Sequence, residues 1–231
     1  MGIFSLLTLM LACGHVLTSQ IYGGREAAAH SRPFMALVVR KLPNESIEYC
    51  AGFLLSEWFV MTAAHCEASW YEVYLGLHDF NHPEDAQIIA VDETFPATGY
   101  NRTTLSHDLM LLKLNSKVKF NRKVQPIDLA DPNDKPPEVC MVFGWGFFKP
   151  GSKELSPVLK EANVTLTNIE CEEDFYCSKG QSGPGEGDSG CPLVCENEKV
   201  YGVVSKGTYP DENGERLYEY SMISNKMGMM H

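Results

Sequence analysis

The sequence predicts an all-β fold. Three features carry that expectation: apolar runs about five to seven residues long, turn-forming residues between them, and no sustained 3.6-residue period. The runs are Phe34–Val39, Tyr49–Leu55, Tyr71–Leu77, Gln87–Val91, Leu109–Leu114, Cys140–Trp145, Ala162–Leu166, Val200–Val204 and Leu217–Ile223. Pro43-Asn44, Asn81-His82-Pro83, Asp131-Pro132-Asn133 and Asp211-Glu212-Asn213-Gly214 punctuate them. Such a pattern suits a sandwich or a barrel. Helix is expected only in short pieces, around Asn168–Phe175 and in the C-terminal tail. A chain of 231 residues, 44% of them hydrophobic, can bury one large β domain or two small ones. The polar stretch Asn121–Pro136, with its prolines, is the best connection between two halves.

The first residues read as a targeting segment. Ile3, Phe4, Leu6, Leu7, Leu9, Met10, Leu11 and Ala12 form an apolar run too short to cross a bilayer but suited to a secretory signal. No Lys or Arg precedes it, so position and hydropathy carry the reading, against the alternative of an N-terminal core strand. Three sequons, at Asn44, Asn101 and Asn163, agree with secretion. So does cysteine usage. Outside Cys13, the chain has Cys50, Cys66, Cys140, Cys171, Cys177, Cys191 and Cys195, with no CxxC pair, which favours extracellular disulfides over a metal framework. The number is odd, so one thiol is left over. A formal charge of −11 makes nucleic acid and anionic membranes poor partners.

Peptide hydrolysis by nucleophilic attack needs an activated hydroxyl, a base, a group to orient the base, and donors for the oxyanion. His65 in Thr62-Ala63-Ala64-His65-Cys66 follows a buried-looking strand. Asp108 stands at the mouth of the apolar run Leu109–Leu114, where burial would keep a fixed anion. Ser189 sits in the glycine-rich turn Gly187-Asp188-Ser189-Gly190, whose N–H groups can converge on a carbonyl oxygen. Singly, each has a bland reading: a packed histidine, a strand-edge acid, an ordinary turn. Their order along the chain is what gives them weight together.

Ile21-Tyr22-Gly23-Gly24, the segment around His65, Asp108–Leu114, Gly144-Trp145-Gly146 and Gly187–Cys195 together resemble the chymotrypsin-like serine proteases from Ile21 nearly to the C-terminus. Arg25-Glu26-Ala27 and His30–Met35 resemble the granzyme and mast-cell chymase branch. That resemblance implies two antiparallel six-stranded β-barrels of the chymotrypsin type, about 21–120 and about 126–231, with the active site between them. It implies Ser189 as nucleophile, His65 as proton shuttle and Asp108 as its orienting acid, with the N–H groups of Gly187 and Ser189 as the oxyanion hole. Ser205 would hydrogen-bond the aspartate. Disulfides would join Cys50 with Cys66, Cys140 with Cys195 and Cys171 with Cys177, leaving Cys191 as the thiol that alkylates without reduction. The chain would start as a signal peptide, 1–18, ending after Gly14 or after Thr18, and a short propeptide, 19–20. Cleavage before Ile21 would free an α-amino group to pair with Asp188. Protein or peptide substrates, serpin-type inhibitors, a monomeric state and secretion or granule storage follow from the same resemblance, with no metal and no cofactor.

Departures from the family pattern bear on activity and specificity. Cys191 replaces a glycine, Lys206 replaces an aromatic residue of the cleft wall, the Cys171–Cys177 region is short, and the tail from Ser224 lacks a tryptophan-bearing helix. These keep a second function class in view, an inactive homologue acting as a binding or antimicrobial protein. Gly183 falls at the base of the specificity pocket, with Ser205, Lys206, Gly207 and Arg216 around it. Without an acid at 183, Lys or Arg at P1 has no electrostatic basis. Arg216 and Lys206 instead predict Asp or Glu at P1, whereas a solvent-facing Arg216 would leave a neutral pocket for a medium apolar side chain. His78, Asp79, His82, Glu84 and Asp85 read as a solvated loop in preference to a cation site.

Overall fold

The computed structural model describes residues 21–131, 133–147, 154–168 and 171–223. Residues 1–20, read above as a targeting segment, and the tail beyond Ile223 lie outside them. The described residues form thirteen strands: β1 (Arg25–Glu26), β2 (Met35–Lys41), β3 (Ile47–Leu54), β4 (Phe59–Thr62), β5 (Trp70–Leu75), β6 (Gln87–Pro96), β7 (Met110–Leu114), β8 (Val139–Gly144), β9 (Lys160–Thr167), β10 (Phe175–Gly180), β11 (Pro192–Cys195), β12 (Val200–Gly207) and β13 (Arg216–Met222).

Six of these close an antiparallel barrel in the order β2-β3-β4-β7-β6-β5. Alternation drives the closure. In β5 the inward Tyr71, Val73 and Leu75 are buried while the residues between them are more exposed, and β7 buries Met110, Leu112 and Leu114 in the same way. The second sheet runs β9-β10-β13-β12-β11-β8, and β8 pairs back onto β9, closing a second six-stranded barrel. Closure leaves neither sheet with free edges around its circumference.

Strand β1 does not belong to the first barrel. Arg25 and Glu26 pair with Glu161 and Lys160 of β9, and Tyr22 bridges to Gly183. The stretch 21–26, expected to open the first half, is therefore docked on the second. Among the described residues no strand lies between Leu114 and Val139. The expected helix around Asn168–Phe175 is absent among the described residues: Cys171–Asp174 is irregular and turn, and Phe175 opens β10. Cys177 is tied to Cys171 and the stretch from Phe175 pairs with β13 along its length, so tertiary pairing decides the strand. The only helical pieces described are single 3₁₀ turns, Ala64–Cys66 and Pro83–Asp85.

Three disulfides join Cys50–Cys66, Cys140–Cys195 and Cys171–Cys177, and Cys191 is free. Cys191 is fully buried, however, and its Sγ accepts the Phe143 N–H at 3.1 Å. Burial also pushes the thiol pKa well up. The odd thiol is therefore Cys191, as expected, and burial puts it out of reach while the protein is folded.

Candidate functional site

The site lies where the two barrels meet. The 3₁₀ turn Ala64–Cys66 leaves the end of β4 and is stapled to β3 through Cys50–Cys66, which presents His65 at the barrel rim. Asp108 immediately precedes β7; Leu109 beside it is fully buried and anchors the position. The His65 backbone N–H donates to Asp108 Oδ1 at 2.8 Å, and His65 Nδ1 lies 2.7 Å from Oδ2. Both backbone and ring of one residue therefore grip the same carboxylate, which orients the imidazole with Nε2 away from it.

A third donor comes from the other barrel. Ser205 Oγ donates to Asp108 Oδ2 at 2.5 Å. The β12–β13 register slips between Val204 and Lys206, so Ser205 has no partner across the ladder and its side chain is re-aimed toward the aspartate. Asp108 is wholly buried, and these three donors replace the water it has lost.

Ser189 stands on a turn held from both sides. The Ala51 N–H of β3 donates to Ser189 O at 2.7 Å, and the Gly190 N–H donates to Val204 O at 2.9 Å. Gly190 has φ +88°, and a side chain there would run into Ala51 O and Thr62 Oγ1. Only glycine permits the close approach that brings the turn up to the first barrel. Among the described residues, neither the Gly187 nor the Ser189 N–H donates to a backbone carbonyl, so both remain available.

Two cavities meet at Ser189. One, of about 330 Å³, is lined by Ser189, Ser205, Lys206, Gly207, Arg216 and Tyr218, among others. The other, of about 280 Å³, is lined by His65, Ser189, Gly187, Tyr49 and Phe147, among others. Glu186 borders both. A polypeptide laid across Ser189 could thus extend side chains into a cavity on each side.

The larger cavity differs in two details from the sequence reading. Gly183 does not line it; a Cβ there would stand 2.5 Å from the Tyr218 ring, and its backbone is bonded to Tyr22. Tyr22, Pro184 and Gly185 take its place in the lining. Lys206 lines the cavity, but its Nζ lies 3.1 Å from Glu219 Oε2 and 4.8 Å from the Phe175 ring centroid. Its charge is compensated there, so it adds no free second cation, which corrects the expected role. Arg216 does enter the lining, with Nη1 donating to Thr208 O at 3.1 Å.

With this geometry in place, comparison with known proteins is decisive. The trypsin family model matches residues 21–226. The chain belongs to the trypsin family. Mouse granzyme B(G,H) is 41% identical over 230 residues, covering 92% of this chain and 91% of the relative. Mouse mast cell protease 8 is 37% identical over 227 residues, covering 90% of each. A solved structure described as "Structure of GrC" aligns with a TM-score of 0.75 at 34% identity, covering 86% of this chain and 93% of that one. The protein is a granzyme-like, trypsin-family serine protease with the two-barrel chymotrypsin fold.

Asp188, which the resemblance marks as the partner of a freed Ile21 amine, is a second buried acid. Its Oδ1 accepts the Gly146 N–H at 2.8 Å and its Oδ2 the Gly185 N–H at 2.9 Å. Complete burial nevertheless pushes its pKa up to about 7. Ile21 is buried too, and Tyr22 exchanges two backbone hydrogen bonds with Gly183, at 2.8 and 3.0 Å. In the loop at 78–85, Asp85 is paired with Lys123 at 2.7 Å and Asp79 accepts the Asn81 N–H, so both acids are committed locally.

Proposed function

We propose that this protein is a secreted or granule-stored endopeptidase that cleaves peptide bonds through an acyl-enzyme on Ser189. The observation that carries this is the buried Asp108 carboxylate, held by three donors, two of them from His65, beside a serine at the junction of two cavities. Asp108 fixes the tautomer of His65 with Nδ1 protonated, leaving Nε2 as the base. Ser189 Oγ adds to the scissile carbonyl carbon as its proton passes to His65. The carbonyl oxygen becomes an oxyanion facing the unspent N–H groups of Gly187 and Ser189, worth about 3–4 kcal/mol per donor in related sites. Collapse breaks the C–N bond, and His65 gives its proton to the departing amine. Water then repeats the sequence and releases the acid.

Activation is cleavage of Gln20–Ile21. The new ammonium would pair with Asp188, supplying the charge that its buried site lacks, and so latch the Gly185–Gly190 turn. The burial of Ile21 and the Tyr22–Gly183 bonds support this reading.

At P1 the enzyme would take Asp or Glu. Arg216 lines the cavity beside Ser189, and a guanidinium bonds a carboxylate at about 1.5–3 kcal/mol where water is partly excluded. Protein substrates and serpin-type inhibitors are the partners that fit such a cleft.

A fluorophosphonate probe should label the cleaved protein and fail to label Ser189→Ala; absence of labelling in the cleaved wild type would instead point to a non-catalytic homologue. A peptide library varied at P1 tests the pocket. Faster turnover of Leu, Met or Phe than of Asp or Glu, unchanged in Arg216→Gly, would sink the acidic preference.

A further inference from the structure

The cavity that contains Arg216 is built in part from the second residue after the activation bond. Tyr22 lines it, and the Tyr22 backbone is fixed by its paired hydrogen bonds to Gly183. The ring so placed lies against the guanidinium: Arg216 Cζ stands 4.3 Å from the Tyr22 ring centroid. That is well inside the range in which a cation is attracted to an aromatic face. With Nη1 donating to Thr208 O at 3.1 Å, the guanidinium is held at two points.

The way it is held matters as much as the fact. Lys206 and Arg216 both border this cavity, but Lys206 meets a carboxylate, Glu219, at 3.1 Å. Among the described residues, Arg216 meets a carbonyl and an aromatic face instead. Those partners orient a cation without neutralising it. Lys206 is therefore already satisfied, whereas Arg216 keeps a positive charge for an incoming group. The hydroxyl of Tyr218, buried with no hydrogen-bond partner, lines the same space and is a second donor without a mate. Burial pushes the Tyr218 phenol up to about 12, so it stays protonated. Burial also raises the Tyr22 phenol, with Arg216 pulling the other way, in keeping with their closeness.

We propose that Tyr22 is the positioning residue for substrate acid recognition: pairing of its backbone with Gly183 holds the Tyr22 ring against Arg216 and sets the guanidinium for a P1 carboxylate. This rests on the acidic P1 reading above, and the ring requirement is separate from the Ile21–Asp188 latch, since Ile21 is unchanged in the variants that test it.

The test uses the full mature enzyme, active sites counted by fluorophosphonate, as wild type, Tyr22→Phe, Tyr22→Ile and Tyr22→Leu. The first readout is the ratio of kcat/KM for matched peptides with Asp or Met at P1. Tyr22→Ile and Tyr22→Leu should lower that ratio about ten-fold, mainly through KM for the Asp peptide, a size in keeping with a partly desolvated cation–π contact. Tyr22→Phe, which keeps the ring, should restore it. The second readout is the Nε–Hε resonance of Arg216 in protein labelled with ¹⁵N-arginine, assigned by its loss in Arg216→Lys. It should be shifted upfield by the ring in wild type and Tyr22→Phe and return toward the free value in the other two. A wild type that prefers Met removes the acidic reading and the role given to Tyr22 with it. A wild type that prefers Asp, with the preference intact in Tyr22→Ile, overturns the Tyr22 proposal alone. So does an equal loss for both peptides, or an unshifted Arg216 resonance in wild type, which needs no variant to fold.

Discussion

Asp108 and Asp188 are both fully buried acids, and they are treated oppositely by the fold. Asp108 accepts from the His65 N–H, His65 Nδ1 and Ser205 Oγ, and one of those donors can itself carry a positive charge. Asp188 accepts from two backbone N–H groups, Gly146 and Gly185, and burial lifts its pKa to about 7. The first carboxylate is completed by packing alone, from residues on both barrels. The second has no cationic partner among the described residues, and under the proposed activation the Ile21 ammonium would supply one. A finished acid suits a permanent part of the machinery, and an unfinished one suits a switch.

Breaking the finished acid should cost most. Asp108→Asn is expected to lower kcat by about 10⁴, because an amide leaves His65 free to take the wrong tautomer. Peptide KM should change little. A loss of less than ten-fold in steady-state hydrolysis would remove Asp108 from the mechanism.

The unfinished acid should matter less to rate and entirely to activation. In the cleaved enzyme Asp188→Asn should cost about 10²–10³ in kcat, the scale of a misplaced oxyanion donor. The same variant should erase the difference between a free and an acetylated Ile21. An acetylated Ile21 enzyme with full wild-type activity would show that Asp188 needs no terminal charge.

The pH dependence isolates the unfinished acid. With the Ile21 amine blocked, Asp188 has a folded pKa of about 7 against an ordinary value of 3.8, so the folded state holds its proton more tightly. Its contribution to stability is therefore fully favourable below about pH 4, declines as pH rises toward 7, and is level above that. Melting temperature of the blocked protein should fall across that window relative to blocked Asp188→Asn, and the fall should vanish once the amine is free. A blocked protein whose melting parallels Asp188→Asn from pH 4 to 8 would show that the carboxyl is not perturbed.

The smallest effect concerns the thiol below Asp188. Cys191 should resist iodoacetamide in the folded protein and react in denaturant without any reductant, as mass spectrometry would show. Rapid labelling under native conditions would mean that this core opens locally.

Much of this was readable in one dimension. Nine strands announced themselves as apolar runs, since each has a buried face long enough to show in composition. Strands β1, β4 and β11 gave no such run, being two to four residues long, and of β10 only Phe175 fell in a stretch expected as helix. Their conformation is imposed by neighbours across the ladder, as Phe175↔Ser221 and Cys195↔Cys140 show. The candidates His65, Asp108, Ser189 and Ser205 were also legible, because each sits in a short segment whose local chemistry marks it. The environments were not. That Lys206 would be taken by Glu219 while Arg216 stayed unneutralised depends on which residues face each other across β12 and β13 and where the ladder slips.

The sequence by itself determined the all-β class, the disulfide chemistry of the cysteines, and the residue types able to carry hydrolysis, because periodicity, motif and order are properties of a line. Only the tertiary structure decided that Ile21–Glu26 docks on the second barrel, that two buried acids differ in what completes them, and that the ring of Tyr22 meets the charge of Arg216. Those outcomes depend on burial and on contacts between residues far apart in the chain, and desolvation, the strongest of the forces at work on these groups, has no value until the surroundings of each atom are known.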